Sequence, residues 1–327
     1  VIRRLPVITT SQVKCFQRCQ RLHELKYILG YKPIQRAHAL DFGTLVHKGL
    51  ETWWATAGQL ALASAAMAAE HAGSETLSGY DLIRADVMLA GYHARWIDES
   101  ITVLSVEHEF RVPIWHDGRE HHVELVGKFD ALCEIDGRAY VPEHKTRSDK
   151  VDSTSYFEAL RSDMQVSNYL IAAEALGYEP GGALYDVLVK PGEPKLATPE
   201  ESRKYTKAGV LYAKQRDRDE EPEEYRARLL EDIAEHPEEY YQRATVVRFD
   251  TELDAARADL WALADAIWAS YSRAFHPRSP GACRDFARPC EFAPVCWEGA
   301  SLKDSEKYEQ LENPHQEISH AISKAAE

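Results

Sequence analysis

The sequence predicts an α/β fold in which helices come first. Three observations predict it. Residues up to about 100 carry apolar side chains at helical spacing. From residue 101 the texture changes to alternating β-branched and aromatic residues. Helical and strand patterns then take turns to about residue 275. The 327 residues suffice for one large domain or two ordinary ones. We read one domain over 1–300: a helical part over about 1–100, a core over about 101–250, and a C-terminal helix with a cysteine-rich segment over 251–300. A polar tail follows, 301–327, expected to be mobile or lightly docked.

Residues 9–31, "TTSQVKCFQRCQRLHELKYILGY", read as one helix. Thr10 or Ser11 would cap it, and Val13, Phe16, Leu22, Leu25, Ile28 and Leu29 form its apolar stripe. Residues 39–58 give a second helix with Asp41 as a possible cap, and helical patterns continue through 59–72 and 80–98. "ITVLSVEHEFRVPIW", "HHVELVGKFDALCEI" and "RAYVPEHKT" are strands, the last two around Asp136-Gly137. Residues 156–177 return to a helical period and 181–190 form a strand. A charged helix spans 221–236, a short strand 243–249 and an amphipathic helix 251–275. The segment 276–299 is a loop rich in Pro and Cys.

The net charge is −14, from 39 basic and 53 acidic residues. That argues against a general nucleic-acid coat, which needs positive charge against phosphates. The charge is uneven, and a net-acidic protein can hold a basic groove. Residues 1–36 carry Arg3, Arg4, Lys14, Arg18, Arg21, Lys26, Lys32 and Arg36 against one acid, Glu24, whereas 217–239 is strongly acidic; as solvated faces these segments need no function. No run of about 18 apolar residues offers a membrane span, and 1–10 lacks an apolar signal core. An intracellular protein without membrane contact is expected.

The chemistry concentrates at one hairpin. Asp-Gly favours a type I′ turn, which needs positive φ at both central positions. With Asp136 and Gly137 as the loop, Ile135 faces Arg138, and the same register sets Asp130 opposite Glu143, with Lys145 on that face. Like charges directly opposite destabilise a sheet unless a cation lies between them. A hard divalent ion takes a couple of carboxylates and keeps several waters, and an ammonium beside it would orient an attacking water. The alternative is an exposed face with scattered charges, and a one-residue slip would remove the pairing.

"GKFDAL" followed by "VPEHKT" resembles the motif of the PD-(D/E)XK nuclease superfamily, with Asp130 as first acid and Glu143-x-Lys145 as second element. "GTLVHKGLE" resembles the upstream helical motif of its RecB-like branch, which implies His47 as a further metal ligand. "MQVSNYL" resembles the branch's Gln-x-x-x-Tyr motif, giving Gln165 and Tyr169, which project from one helix face. The resemblance implies a restriction-endonuclease-like core, a mixed central sheet flanked by helices. It also implies Mg²⁺ or Mn²⁺ held by His47, Asp130, Glu143 and the backbone carbonyl of His144, whose ring would face away. Glu51, one turn after His47, is left to the surface or a supporting role.

Of six cysteines, Cys283, Cys290 and Cys296 fall within fourteen residues, while Cys15 and Cys19 lie one helical turn apart near the start. In an intracellular enzyme such clusters point to metal more than to disulfides. Cys133 points away from Asp130 as a small core residue. "FQRCQRLHELKY" resembles the N-terminal cysteine phrase of the AddB helicase–nuclease subunit and of four-cysteine CRISPR-associated exonucleases. There one N-terminal and three C-terminal cysteines hold a 4Fe–4S cluster that joins the chain ends. The resemblance implies Cys19, Cys283, Cys290 and Cys296 as ligands, with Cys15 the alternative fourth. Gln20 stands where the family has proline, and the C-x6-C-x5-C spacing is longer than usual. The C-terminal phrase is closest to stand-alone relatives carried by bacteriophages. Zinc also suits four thiolates, and free buried thiols are the third option.

The implied function is a Mg/Mn-dependent deoxyribonuclease, an exonuclease acting on DNA ends or single strands, with roles in DNA repair and recombination. The alternatives are a non-catalytic iron–sulfur DNA-binding module, or a nuclease subunit that works with a helicase, recombination or CRISPR-adaptation protein. No Walker-type Gly-rich Lys-Ser/Thr loop is present, so an ATP-driven motor would be another chain.

Overall fold

The computed structural model describes residues 7–34, 38–115, 122–150, 152–285, 288–316 and 318. Arg3, Arg4 and Arg36 lie outside them. A short strand β1 (Val7–Ile8) leads into helix α1 (Thr10–Arg18). The cap is Thr9 rather than Thr10 or Ser11: its hydroxyl accepts the Gln12 N–H at 3.1 Å. The expected single helix breaks at Cys19, which is fully extended (φ −163°, ψ 118°), and resumes as α2 (Gln20–His23) before a wider turn, Glu24–Ile28. Strand β2 (Tyr31–Pro33) and helix α3 (His38–Ala55) follow. Asp41 lies inside α3 instead of capping it, because the helix begins three residues earlier, and accepts the Thr76 hydroxyl at 2.5 Å.

Helices α4 (Leu60–Ala72) and α5 (Gly79–Trp96) pack on α3. Phe42, Leu45, Val46, Gly49, Leu50, Trp53 and Trp54 form the buried stripe of α3. A Cβ on Gly49 would sit 2.6 Å from the Met67 sulfur, so the helices meet through a bare backbone.

The strands are β3 (Thr102–Ile114), β4 (Val123–Ile135) and β5 (Arg138–Arg147). Helix α6 (Ser153–Ala159) and helix α7 (Met164–Ala175) divide the expected single helix, because Asp163 caps α7 afresh. Then come β6 (Pro180–Val189), α8 (Pro222–Glu235), α9 (Pro237–Tyr240), β7 (Tyr241–Val246) and α10 (Asp250–Tyr271). Short strands β8 (Arg284–Asp285) and β9 (Arg288–Pro289), helix α11 (Ala293–Trp297) and strand β10 (Tyr308–Gln310) complete the chain. Among the described residues no helix is long and apolar enough to cross a membrane.

Six strands make one mixed sheet with helices on both faces, which is the predicted class. β3 lines one edge of β4 along its length. The other edge of β4 is shared: β1 pairs with 124–125 and β5 with 133–135. β5 then runs parallel to β6, and β6 antiparallel to β7. One core, with Phe129, Val141, Tyr169, Tyr185 and Trp261, lies under α1, α7 and α10. The other, with Ala131, Cys133, Leu184 and Leu188, lies under α3, α4, α5 and α8. Cys133 is the small core residue expected. The tail is partly docked: β10 pairs with β2, and Tyr308 stacks on Phe292 at 5.3 Å.

Candidate active site

The Asp136-Gly137 turn forms as expected, with φ of 50° and 78°. The predicted register holds for Ile135↔Arg138, Glu134↔Ala139 and Cys133↔Tyr140 and then stops. Asp130 and Glu143 are therefore not a ladder pair. β5 leaves β4 to follow β6, so the two strands separate just where the acids lie. Side chains take over the backbone groups so freed. The Asp130 carboxylate accepts the His144 N–H at 2.9 Å, and the Tyr169 hydroxyl donates to the Lys128 carbonyl at 3.0 Å. A split in the sheet thus lets groups from both of its faces meet.

Glu143 is 2% exposed. Its Oε1 accepts from Gln165 Nε2 at 2.8 Å and from Lys145 Nζ. Its Oε2 is buried with no hydrogen-bond partner among the described residues. Gln165 stands at the first turn of α7, whose cap Asp163 accepts the Gln165 N–H at 2.8 Å and the Lys14 ammonium at 2.9 Å. Gln165 also donates to the Tyr169 hydroxyl at 3.0 Å. From the other face, α3 brings His47 Nδ1 to 3.8 Å from Asp130 Oδ2. Glu51 pairs with Lys48 at 3.0 Å, a surface arrangement.

Burial, reinforced by the Asp130 charge, pushes the Glu143 carboxyl up to about 7. Burial alone would lower the Lys145 ammonium, but Glu143 and Asp130 outweigh it and raise its pKa. Burial lowers the His47 imidazole, against the pull of Asp130. The site therefore holds a buried carboxyl group and an ammonium in contact, with one carboxyl oxygen free of partners among the described residues.

The His144 ring faces away, as expected, but into a network that sequence reasoning missed. Its Nδ1 lies 3.1 Å from Asp186 Oδ2 on β6. Asp186 is buried and accepts from Arg243 (Nη2, 2.8 Å) and the Tyr92 hydroxyl (2.8 Å). Burial would raise the Asp186 carboxyl; the Arg243 guanidinium outweighs it and holds the group at about 2. The sequence signal was an acid inside the apolar run "ALYDVLV", which demands a buried partner.

A hard divalent ion needs oxygen donors of the Asp130 and Glu143 kind, and the partnerless Glu143 Oε2 suits one. Among the described residues, however, no three His, Cys, Asp or Glu side chains form a ready-made metal group. Cys19, Cys283, Cys290 and Cys296 line one small cavity with Leu22, Leu25 and Phe292, and Cys15 is not part of its wall. The Ser279 N–H donates to Cys19 Sγ at 3.4 Å, joining the helix break to the C-terminal segment. Burial raises the pKa of Cys290 and Cys296. The cavity is about 20 Å³, room for one water-sized sphere, so a cluster there would require the thiols to draw apart.

No curated protein matches the chain. A solved structure titled "Crystal structure of SSO0001" is similar over 80% of this chain and 79% of its own, at 11% identity and a TM-score of 0.30, a likeness too slight to argue from. A family profile described as the PD-(D/E)XK nuclease superfamily matches residues 7–297.

Proposed function

The chain belongs to the PD-(D/E)XK nuclease superfamily, and from that premise we propose that it is a metal-dependent deoxyribonuclease of the RecB-like branch, acting as an exonuclease on DNA ends or single strands. The observation that carries the reading is Glu143: a buried acid with one oxygen tied by Lys145 and Gln165 and the other without a partner. Asp130, Glu143, His47 and the His144 carbonyl would hold Mg²⁺ or Mn²⁺, which when bound polarises a phosphate and lowers the pKa of a water. Lys145 orients the attacking water and offsets charge developing on the phosphate. Gln165 fixes the Glu143 carboxylate, and Tyr169 fixes Gln165 while closing the β4 backbone. Asp130 accepts the His144 N–H and so restrains β5 between Glu143 and Lys145.

Cleavage of end-labelled linear DNA and of closed circles, with Mg²⁺ or Mn²⁺, tests the reading. Linear DNA should be degraded and circles spared, and Lys145→Ala should lose at least about 100-fold. Wild-type protein that leaves every substrate intact with either metal ends the proposal. Equal cutting of circles would end its exonuclease part.

For the cysteines we propose a structural 4Fe–4S cluster held by Cys19, Cys283, Cys290 and Cys296, supported by their shared cavity. Hydrolysis moves no electrons, so its role would be to join the chain ends. Anaerobically purified protein should be brown, with Cys19→Ser bleaching it and Cys15→Ser not. Colourless protein with stoichiometric zinc would replace iron–sulfur by a zinc site.

A further inference from the structure

The segment between β6 and α8 is not part of the site just described. Its stretch 202–216 holds Arg203, Lys204, Lys207, Lys214 and Arg216 and no acid, in a chain of net charge −14. It is an organised arm rather than a loose loop. Tyr212 N–H donates to the Lys204 carbonyl at 3.0 Å, Thr206 N–H to Val210 at 2.8 Å, and Tyr205 bridges Leu211. Arg203 spends its guanidinium on the Thr198 and Asp217 carbonyls, and Arg216 pairs with Glu224. Lys204, Lys207 and Lys214 are exposed and form no ion pair among the described residues, although the acidic stretch 217–224 adjoins them. Within that stretch Glu224 and Glu221 pair with Arg218, and Glu220 with Arg228.

The aromatic residues are equally unspent. Tyr205 is 53% exposed and Tyr212 50% exposed. Lys204 and Tyr212 lie opposite each other across the arm, so a cation and a ring share one face. The arm is rooted at the active-site end of the sheet. Val187 is the register partner of Lys145, and three residues later the Lys190 N–H donates to the Arg147 carbonyl at 2.7 Å, where the arm departs. Its base is held by Arg84, which donates to the Pro191 carbonyl at 2.7 Å, and by buried Glu220, which accepts from Lys195 N–H and Arg228 at 2.8 Å each.

We propose that this arm binds a single strand of nucleic acid entering or leaving the catalytic cleft, with Lys204, Lys207 and Lys214 on phosphates and Tyr212 stacked on a base. Phosphate contacts give affinity without sequence preference, and aromatic stacking on any base adds to it. The proposal rests on the nuclease reading for its substrate.

The test is fluorescence anisotropy of the full chain with a fluorescein-labelled thymidine 30-mer, without divalent metal, across a range of salt. Replacing Lys204, Lys207 and Lys214 together by Ala should flatten the slope of log K against log salt by about 2, at about 0.7 per single-strand contact. Tyr212→Ala should weaken binding about 5- to 100-fold at one salt. Metal-dependent hydrolysis of thymidine 5′-p-nitrophenyl phosphate, too small to reach the arm, should stay at the parent rate. Should the triple variant fail to fold, single Lys→Gln changes, each removing about 0.7 of slope, decide the same question. An unchanged slope and affinity overturn the proposal and leave the arm to an acidic protein partner. A parent chain that binds no oligonucleotide also overturns it. A parent that binds the oligonucleotide but hydrolyses neither DNA nor the small ester defeats the nuclease reading and leaves the arm's binding standing.

Discussion

Gln165 shows how much of the site depends on one uncharged side chain. Its amide donates to both Glu143 and Tyr169, so Gln165→Ala should release the carboxylate from its fixed orientation. Supporting partners of metal ligands are typically worth 10–100-fold, and cleavage should fall by about that much. The unfolding midpoint should hardly move, since no charge is stranded. Asp186→Asn is the opposite case. It leaves Arg243, deeply buried against Tyr92, with only the half-exposed Glu99 as counter-charge, and should cost up to about 3 kcal/mol, read as a lower urea midpoint. The order of motifs in the sequence was enough to group His47, Asp130, Glu143, Lys145, Gln165 and Tyr169, which the fold brings close together. The Asp186–Arg243 pair was not legible, because its members meet only through the β6–β7 ladder.

Elements were legible where their period was long and their boundaries chemical. α3 and α5 show clear helical stripes, and the Asp136-Gly137 turn named its own hairpin. The strands of two or three residues, β1, β2, β8, β9 and β10, carry no period to read. The break at Cys19 is invisible as well, since the apolar stripe of α1 and α2 passes through it unchanged. The register beyond Tyr140 failed for a different reason: β5 trades an antiparallel partner for a parallel one, a choice made by β6. Two predictions belong here. Gly49→Ala would push α3 off Met67 and should cost about 1–3 kcal/mol of stability, part of it restored by Met67→Ala. Glu220→Gln should loosen the arm's base and speed amide hydrogen exchange over 195–219, with the global midpoint nearly unchanged. Arg228, with Lys195 N–H, holds the Glu220 carboxyl down at about 2. Its contribution is therefore complete above its ordinary value of about 4.3 and disappears as pH falls towards 2. Acid should reproduce the Gln substitution at the arm.

At the scale of the whole molecule, the sheet divides the chain into two cores, and a third small one ties its ends. That third core gathers Cys19, Leu22 and Leu25 with Phe292 and Tyr308. Tyr308→Ala removes a ring that stacks on Phe292 and whose hydroxyl donates to the Glu291 carbonyl at 3.2 Å, and should cost about 3 kcal/mol. If the ends are joined through this core alone, the loss should appear first as increased exchange in α2 and β2. The pairing of β2 with β10 also has a temporal side. β2 is made well before its partner β10, which follows it only after the whole sheet. At about 5–20 residues per second, a ribosome takes tens of seconds to deliver Tyr308 after Tyr31 has emerged. Throughout that interval the face carrying Leu22, Leu25 and Cys19 has nothing to pack against. The nascent chain therefore completes this core only once Tyr308 has emerged, long after Cys19, Leu22 and Leu25 were made.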